Sequence, residues 1–270
     1  MKTLHKSLLL GLVTLAAGLT AASAQTIISA GNFTSTGDSQ PLNGTTTGIT
    51  TNLPGGSWVW GGGYSWAAPR VNATWLSGPQ NAADLGEEIT AVGTSIASSG
   101  GYTKPTSLTI SADINFYDAG HANSIVGLGF WSTMPGRVDY STNGFQNFTG
   151  LALGANGTLS IYSGVSFSSA VSLGGPLSIN NTSFYNLSYN VDTTTGTVSG
   201  IVFNGSSVSG LSSTSFSNAA TQFAGLSTYS ASRGSFDNLV VSTAVPEPGT
   251  LALLAAAGIG LVLFRKRRND

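Results

Sequence analysis

From residue 108 to 116 the chain reads Leu-Thr-Ile-Ser-Ala-Asp-Ile-Asn-Phe, a strict alternation of apolar and polar side chains. Successive side chains on a strand point to opposite faces, so this pattern fits an extended segment with one face on a core and the other in water. Tyr185, Leu187, Tyr189 and Val191 repeat the same period of two. Residues 125–131 and 239–241 are more continuously apolar, as inner strands are. Tight-turn signals separate the runs. Asn156-Gly157 and Asn204-Gly205 suit the positive φ of short hairpins, and residues 192–196, Asp-Thr-Thr-Thr-Gly, make a longer turn. No amphipathic helical stretch stands out between residues 25 and 244. The expected fold is all-β, a two-sheet antiparallel sandwich.

The ends of the chain have a different grammar. Lys2, His5 and Lys6 precede an apolar stretch at residues 8–19, followed by Ala22-Ser23-Ala24. This is the layout of a secretory signal peptide at residues 1–24, cut by signal peptidase at Ala22, Ala24 and Gln25, with Gln25 as the new N-terminus. At the other end, Pro246 and Pro248 bias the backbone toward an extended connector. Fourteen uncharged residues follow at 251–264, then Arg265, Lys266, Arg267 and Arg268. As a helix, fourteen residues span about 21 Å against a hydrocarbon core of about 30 Å, so Gly249, Thr250 and the Arg265 stem complete the crossing. Eight of the fourteen are Leu, Ile, Val or Phe, worth about −2 to −5 kcal/mol for insertion. The four cations hold the tail on the cytoplasmic side.

Val245-Pro246-Glu247-Pro248-Gly249-Thr250, a short apolar helix at 250–264 and a basic tail at 265–270 together resemble the PEP-CTERM sorting signal of Gram-negative bacterial surface proteins. The resemblance implies recognition by an exosortase, cleavage near the Pro-Glu-Pro motif, and passage from an inner-membrane-anchored precursor facing the periplasm to the cell surface or extracellular matrix. Residues 184–242, with their Tyr-Asn-Val-Asp-Thr-Thr-Thr-Gly hairpin and closing Gly-Ser-Phe-Asp-Asn-Leu-Val-Val strand, also resemble concanavalin A-like, laminin G-like jelly rolls. That likeness implies a jelly-roll sandwich at residues 25–244 as the exported cargo.

The cargo carries four basic and nine acidic side chains, a net of −5, which does not suit nucleic acid. It has no cysteine, so an exported fold of this kind rests on its core rather than on disulfides. Its one histidine, His121, lies in a polar linker, and without a thiol partner it makes a zinc site or a nucleophilic pair improbable. Glu87 and Glu88 are adjacent, whereas glycoside hydrolysis needs carboxylates facing across a cleft. No enzyme activity is expected. Calcium is the one cofactor the composition allows, with Asp113, Asp118, Asp139, Asp192, Asp237 and Asn238 as candidate ligands.

Trp58, Trp60, Tyr64, Trp66 and Trp75 crowd a glycine-rich segment. Exposed, they would contact the flat faces of sugar rings; Trp58, Trp60 and Trp66 share strand parity, and aromatics on one strand face pack inward, which favours a core. The expected function is therefore a structural or adhesive surface protein, with a lectin-like module acting on exopolysaccharide as the alternative.

Overall fold

The computed structural model describes residues 24–31, 33, 40–41, 46, 49–51, 53, 56–62, 70–71, 83–85, 90–116, 124–135, 145–164, 166–177, 183–229 and 234–244, and every structural statement concerns these residues. They contain strands and no helix. In chain order the strands are β1 (Thr26–Ala30), β2 (Gln40–Pro41), β3 (Ile49–Thr51), β4 (Val59–Gly62), β5 (Arg70–Val71), β6 (Ala83–Asp84), β7 (Thr90–Ser95), β8 (Ser107–Asn115) and β9 (Ile125–Trp131). There follow β10 (Phe148–Gly154), β11 (Thr158–Ser163), β12 (Phe167–Ser172), β13 (Phe184–Asp192), β14 (Thr197–Phe203), β15 (Ser206–Ser207), β16 (Phe223–Tyr229) and β17 (Ser235–Thr243). Thr26–Ala244 forms one unit.

Two antiparallel sheets make the sandwich. The larger runs β15-β14-β13-β8-β17-β6-β5-β2, with β1 pairing both β17 and β3. The smaller runs β12-β11-β10-β9-β16-β7-β4. The alternation read at residues 108–116 is realised on β8: Leu108, Ile110, Ala112 and Ile114 are buried while Thr109, Ser111 and Asp113 are partly exposed. From the facing sheet, Val126, Leu128, Phe130, Leu151, Leu153, Leu159 and Ile161 complete the core. Tyr189 spans it, its hydroxyl donating to the Leu128 carbonyl at 2.7 Å. A buried phenol with this partner keeps its large apolar area without leaving an unmet donor.

The turns follow their sequences. Asn204 and Gly205 both have positive φ, 46° and 78°, which closes β14 onto β15 in two residues. At Asn156-Gly157 only Gly157 (φ 78°) is left-handed, and Ala155 widens the turn. The Asp192 carboxylate accepts from the Thr194 and Thr195 amides at 2.8 and 3.2 Å and caps the longer turn.

Between β15 and β16 the chain crosses from one sheet to the other without regular structure. Phe216 is buried against Phe130 and Tyr189. Lys104, 6% exposed, donates from Nζ to the Asn218 carbonyl (3.0 Å), the Thr221 carbonyl (2.6 Å) and Thr221 Oγ1 (2.9 Å). An ammonium removed from water needs three acceptors, and the crossover supplies them.

Both chain ends of this unit lie at one pole. Thr26 pairs Ser242, Leu108 pairs Thr243, and the Ala244 amide donates to the Ser107 carbonyl at 3.1 Å. The opposite pole carries Asn115, Ser235 and, from the smaller sheet, the Ile125 end of β9; a Cβ on Gly234 would lie 2.7 Å from Val126 Cγ2 and 3.0 Å from the Asn115 carbonyl oxygen.

Candidate functional site

The outward face of the smaller sheet is not polar. Along one lateral row Val59 pairs Gly93, Gly93 pairs Gly225, Gly225 pairs Gly129, Gly129 pairs Gly150, Gly150 pairs Tyr162 and Tyr162 pairs Phe167. Four glycines on four adjacent strands leave a trough with no side chains. Aromatic rings fill it. A Cβ on Gly129 or on Gly150 would lie 2.9 or 2.5 Å from the Phe148 ring tip, and one on Gly127 would lie 2.7 Å from that of Phe145. Trp131, Phe145, Phe148 and Tyr162 are buried there, with Trp131–Phe148 and Phe145–Tyr162 edge-to-face at 5.0 and 4.9 Å. Phe167, 37% exposed, closes the group at the edge strand, edge-on to Tyr162 (4.9 Å) and Tyr229 (5.1 Å).

Beside Phe167, toward the Asn156-Gly157 turn, a cleft of about 280 Å³ opens on this face. Its floor is Ala152 and Gly154, its apolar walls are Ile125 and Phe167, and Ser124, Asn156, Thr158 and Ser160 supply the polar groups. The Asn156 side-chain Oδ1 accepts from the Thr158 amide at 3.0 Å. Ser124 is only 1% exposed, and its hydroxyl has no hydrogen-bond partner among the described residues. A buried hydroxyl left unpaired costs about 1–3 kcal/mol, so its place at a cleft calls for an explanation. The combination of one aromatic wall, small floor residues and uncharged donors and acceptors suits a polyhydroxylated ring.

Trp58 is fully buried, 5.6 Å from Phe236 and 6.3 Å from Phe33, so it has no surface for a sugar and belongs to the core. Trp60 is half-buried on β4. Tyr64, Trp66, Trp75, Glu87, Glu88, His121, Asp118 and Asp139 lie outside the described residues. So do the sorting residues 245–250 and the basic residues 265–268. Ala24 and Gln25 are exposed just ahead of β1; Ala22 is outside the described set.

Of the candidate cation ligands, Asp113 and Asp237 face each other across β8 and β17 at a bulge where Asn238 has φ 50°. The two Asp113 oxygens accept from Asn186 Nδ2 and Asn238 Nδ2, both at 2.8 Å, and Asp237 Oδ1 accepts from the Asn238 amide at 2.8 Å. Amide donors therefore satisfy this pair, whereas calcium asks for six to eight converging oxygens. Asp192 is taken up by its turn. Among the described residues no three His, Cys, Asp or Glu side chains form a group able to hold a metal. Also among them, no helix is long and apolar enough to cross a membrane; residues 251–264 are not described.

The two antiparallel sheets and their strand orders define a jelly-roll β domain, and the chain is similar to several solved structures. The Emp47p carbohydrate recognition domain is similar over 83% of this chain and 99% of its own, at 11% identity and a TM-score of 0.50. Peanut lectin in complex with a nine-residue peptide covers 82% and 98%, at 12% identity and a TM-score of 0.48. The metal-free Emp46p carbohydrate recognition domain covers 68% and 87%, at 8% identity and a TM-score of 0.46. At such identities the likeness is one of fold alone. No curated protein matches the sequence. Residues 244–268 match the family model of the PEP-CTERM protein-sorting motif, so the chain carries that signal, which marks an exported, membrane-anchored precursor of Gram-negative bacteria.

Proposed function

We propose that this chain is an exosortase substrate delivered to the cell surface or extracellular matrix, where its β-sandwich acts as an adhesive module holding a saccharide unit in the Ser124–Phe167 cleft. The observation that carries the reading is the exposed Phe167 ring standing beside a cleft whose accessible polar groups are those of Asn156, Thr158 and Ser160. Sugar hydroxyls would meet Asn156, Thr158 and Ser160 while the C–H face of the ring lies on Phe167. The Emp47p carbohydrate recognition domain shares the fold, which is consistent with this use. A cleft this small buries little area, so affinity per site is weak and many copies on one surface supply the hold. No hydrolysis of the glycan is expected, because no facing carboxylates line the cleft among the described residues.

The purely structural alternative is favoured by Trp58, whose burial turns one predicted sugar contact into core. Phe167→Ser separates the two. Both readings expect the same modest loss of thermal stability, since a partly exposed ring is taken from Tyr162 and Tyr229 at the edge strand. Only the glycan reading expects retention on immobilised exopolysaccharide to fall at the same time; unchanged retention rejects it.

A further inference from the structure

A second cleft, of about 460 Å³, opens between β12, the last strand of the smaller sheet, and the β14–β15 hairpin at the end of the larger one. Val171, Leu173 and Phe203 give it an apolar depth packed on the core, while the exposed Ser206, Ser207 and Ser209 bring hydroxyls to its rim. The Phe203 ring is held in place by Tyr185, stacked on it at 6.0 Å and 8°. The hairpin is fixed as well, because the Asn186 amide donates to Asn204 Oδ1 at 2.8 Å and the Asn204 amide to the Asn186 carbonyl at 2.9 Å. The two clefts are neighbours. Thr158 lines the first and Ser172 the second, and these residues are partners across β11 and β12, so one interstrand spacing of about 4.8 Å separates the clefts there. A single hexose unit bridges that distance. The ridge between them is low: Ser168, Ser169, Ala170 and Ser172 are small and exposed, and a Cβ on Gly174 or Gly175 would meet nothing within 4 Å. It is also fixed, since the Leu173 amide donates to the Gly157 carbonyl at 2.7 Å and the Leu177 amide to the Ala155 carbonyl at 2.8 Å.

We propose that the two clefts are subsites of one track, which takes an internal stretch of a neutral, linear polysaccharide rather than a single sugar or a chain end. This rests on the saccharide reading of the Phe167 cleft and extends it from a unit to a chain. Each subsite sets one aromatic ring beside uncharged hydroxyls: Phe167 with Thr158 and Ser160 in the first, Phe203 with Ser206 and Ser207 in the second. A sugar unit offers the matching surfaces, an apolar C–H face and a polar edge. Both clefts open to solvent, so neither demands a chain terminus. Among the described residues no charged side chain lines either one. A uronate or sulfated chain would therefore give up water around its anions without gaining a countercharge, which costs more than placing a hydroxyl there. Spanning both clefts also supplies what one small cleft lacks, because a chain seated in the first meets the second as an intramolecular event.

Isothermal titration calorimetry on the full-length chain in a sugar-free detergent, with disaccharides and hexasaccharides of the cello, laminari and malto series, tests the track. In at least one series the hexasaccharide is expected to bind about tenfold or more tighter than its disaccharide, beyond the statistical gain of offering more units to a single cleft. Ser206→Trp and, independently, Ser209→Trp, both at exposed rim positions, are expected to remove that gain. A hexasaccharide no tighter than statistics allow, or a gain that survives both substitutions, overturns the second subsite and leaves the first in place. A galacturonate hexasaccharide that binds as tightly as the neutral ones overturns the neutral class of ligand. No binding in any series overturns the saccharide reading, and the track falls with it.

Discussion

The two faces of the smaller sheet are built from the same strands by opposite means. Inward, Val126, Leu128, Phe130, Leu151 and Leu226 fill space with large side chains standing off the sheet. Outward, the alternate positions are Gly127, Gly129, Gly150 and Gly225, and rings from Phe145, Phe148 and Trp131 lie down on bare backbone. Burial by projection and burial by recess both exclude water. They differ in what they tolerate: a projecting core suffers when atoms are removed, and a recessed one suffers when atoms are added.

The comparison breaks if the outer rings contribute little. Phe148→Ala should cost about 3–5 kcal/mol and Leu128→Ala about 2–5 kcal/mol in chemical denaturation. A Phe148→Ala loss below about 1 kcal/mol would make the outer face ordinary surface.

It sharpens at Gly225. A Cβ there would strike the Val92 carbonyl oxygen and lie 2.6 Å from Gly93 Cα, so backbone must move. Gly225→Ala should lose about 3 kcal/mol, the upper end for overpacking. Gly127 is different, because its obstacles are ring atoms of Phe145 and Phe148 at 2.7 to 3.0 Å. Gly127→Ala should lose about 1–3 kcal/mol, and in a double-mutant cycle much of that should vanish in the Phe145→Ala background. Strict additivity would mean the ring does not lie over the glycine.

A smaller effect lies apart from both faces. Burial lowers the Lys104 ammonium from 10.5 to about 8. Between those values the unfolded chain holds a proton that the folded chain has released, so stability should rise with pH from 8 toward 10. Above pH 10 the phenols of Tyr102 and Tyr189, both raised by burial, act in the opposite sense. Lys104→Met should abolish the rise seen by thermal melting across that window. The smallest effect is at Asp192, whose carboxyl is lowered by the Thr194 and Thr195 amides. Its contribution should fade as pH drops through that lowered value, and Asp192→Asn should flatten the acid limb slightly.

Much of this was legible in residue order. The alternation at 108–116, the Asn204-Gly205 hairpin and the terminal motif each follow from local rules that tertiary structure did not override. Continuous apolarity at 125–131 correctly announced a strand buried on both sides, with Gly127 and Gly129 alternating against Val126 and Leu128. The glycine row was not legible, because it exists only once four strands align in register. Nor was the cleft. Ser124 is one serine among many, and nothing local distinguishes a hydroxyl that will lose its water without gaining a partner. Trp58 shows the converse limit: its parity favoured a core without excluding a platform, and its packing on Phe33 and Phe236 decides.

The most direct test of the saccharide cleft is amide chemical-shift mapping of isotope-labelled residues 25–244 during titration with neutral oligosaccharides from the surface polymer. Shifts concentrated at Ser124, Ile125, Asn156, Thr158 and Phe167, with Thr194 and Thr195 unmoved, are the predicted result. Shifts confined to the pole of the Asp192–Gly196 turn, or none at saturating sugar, would contradict it.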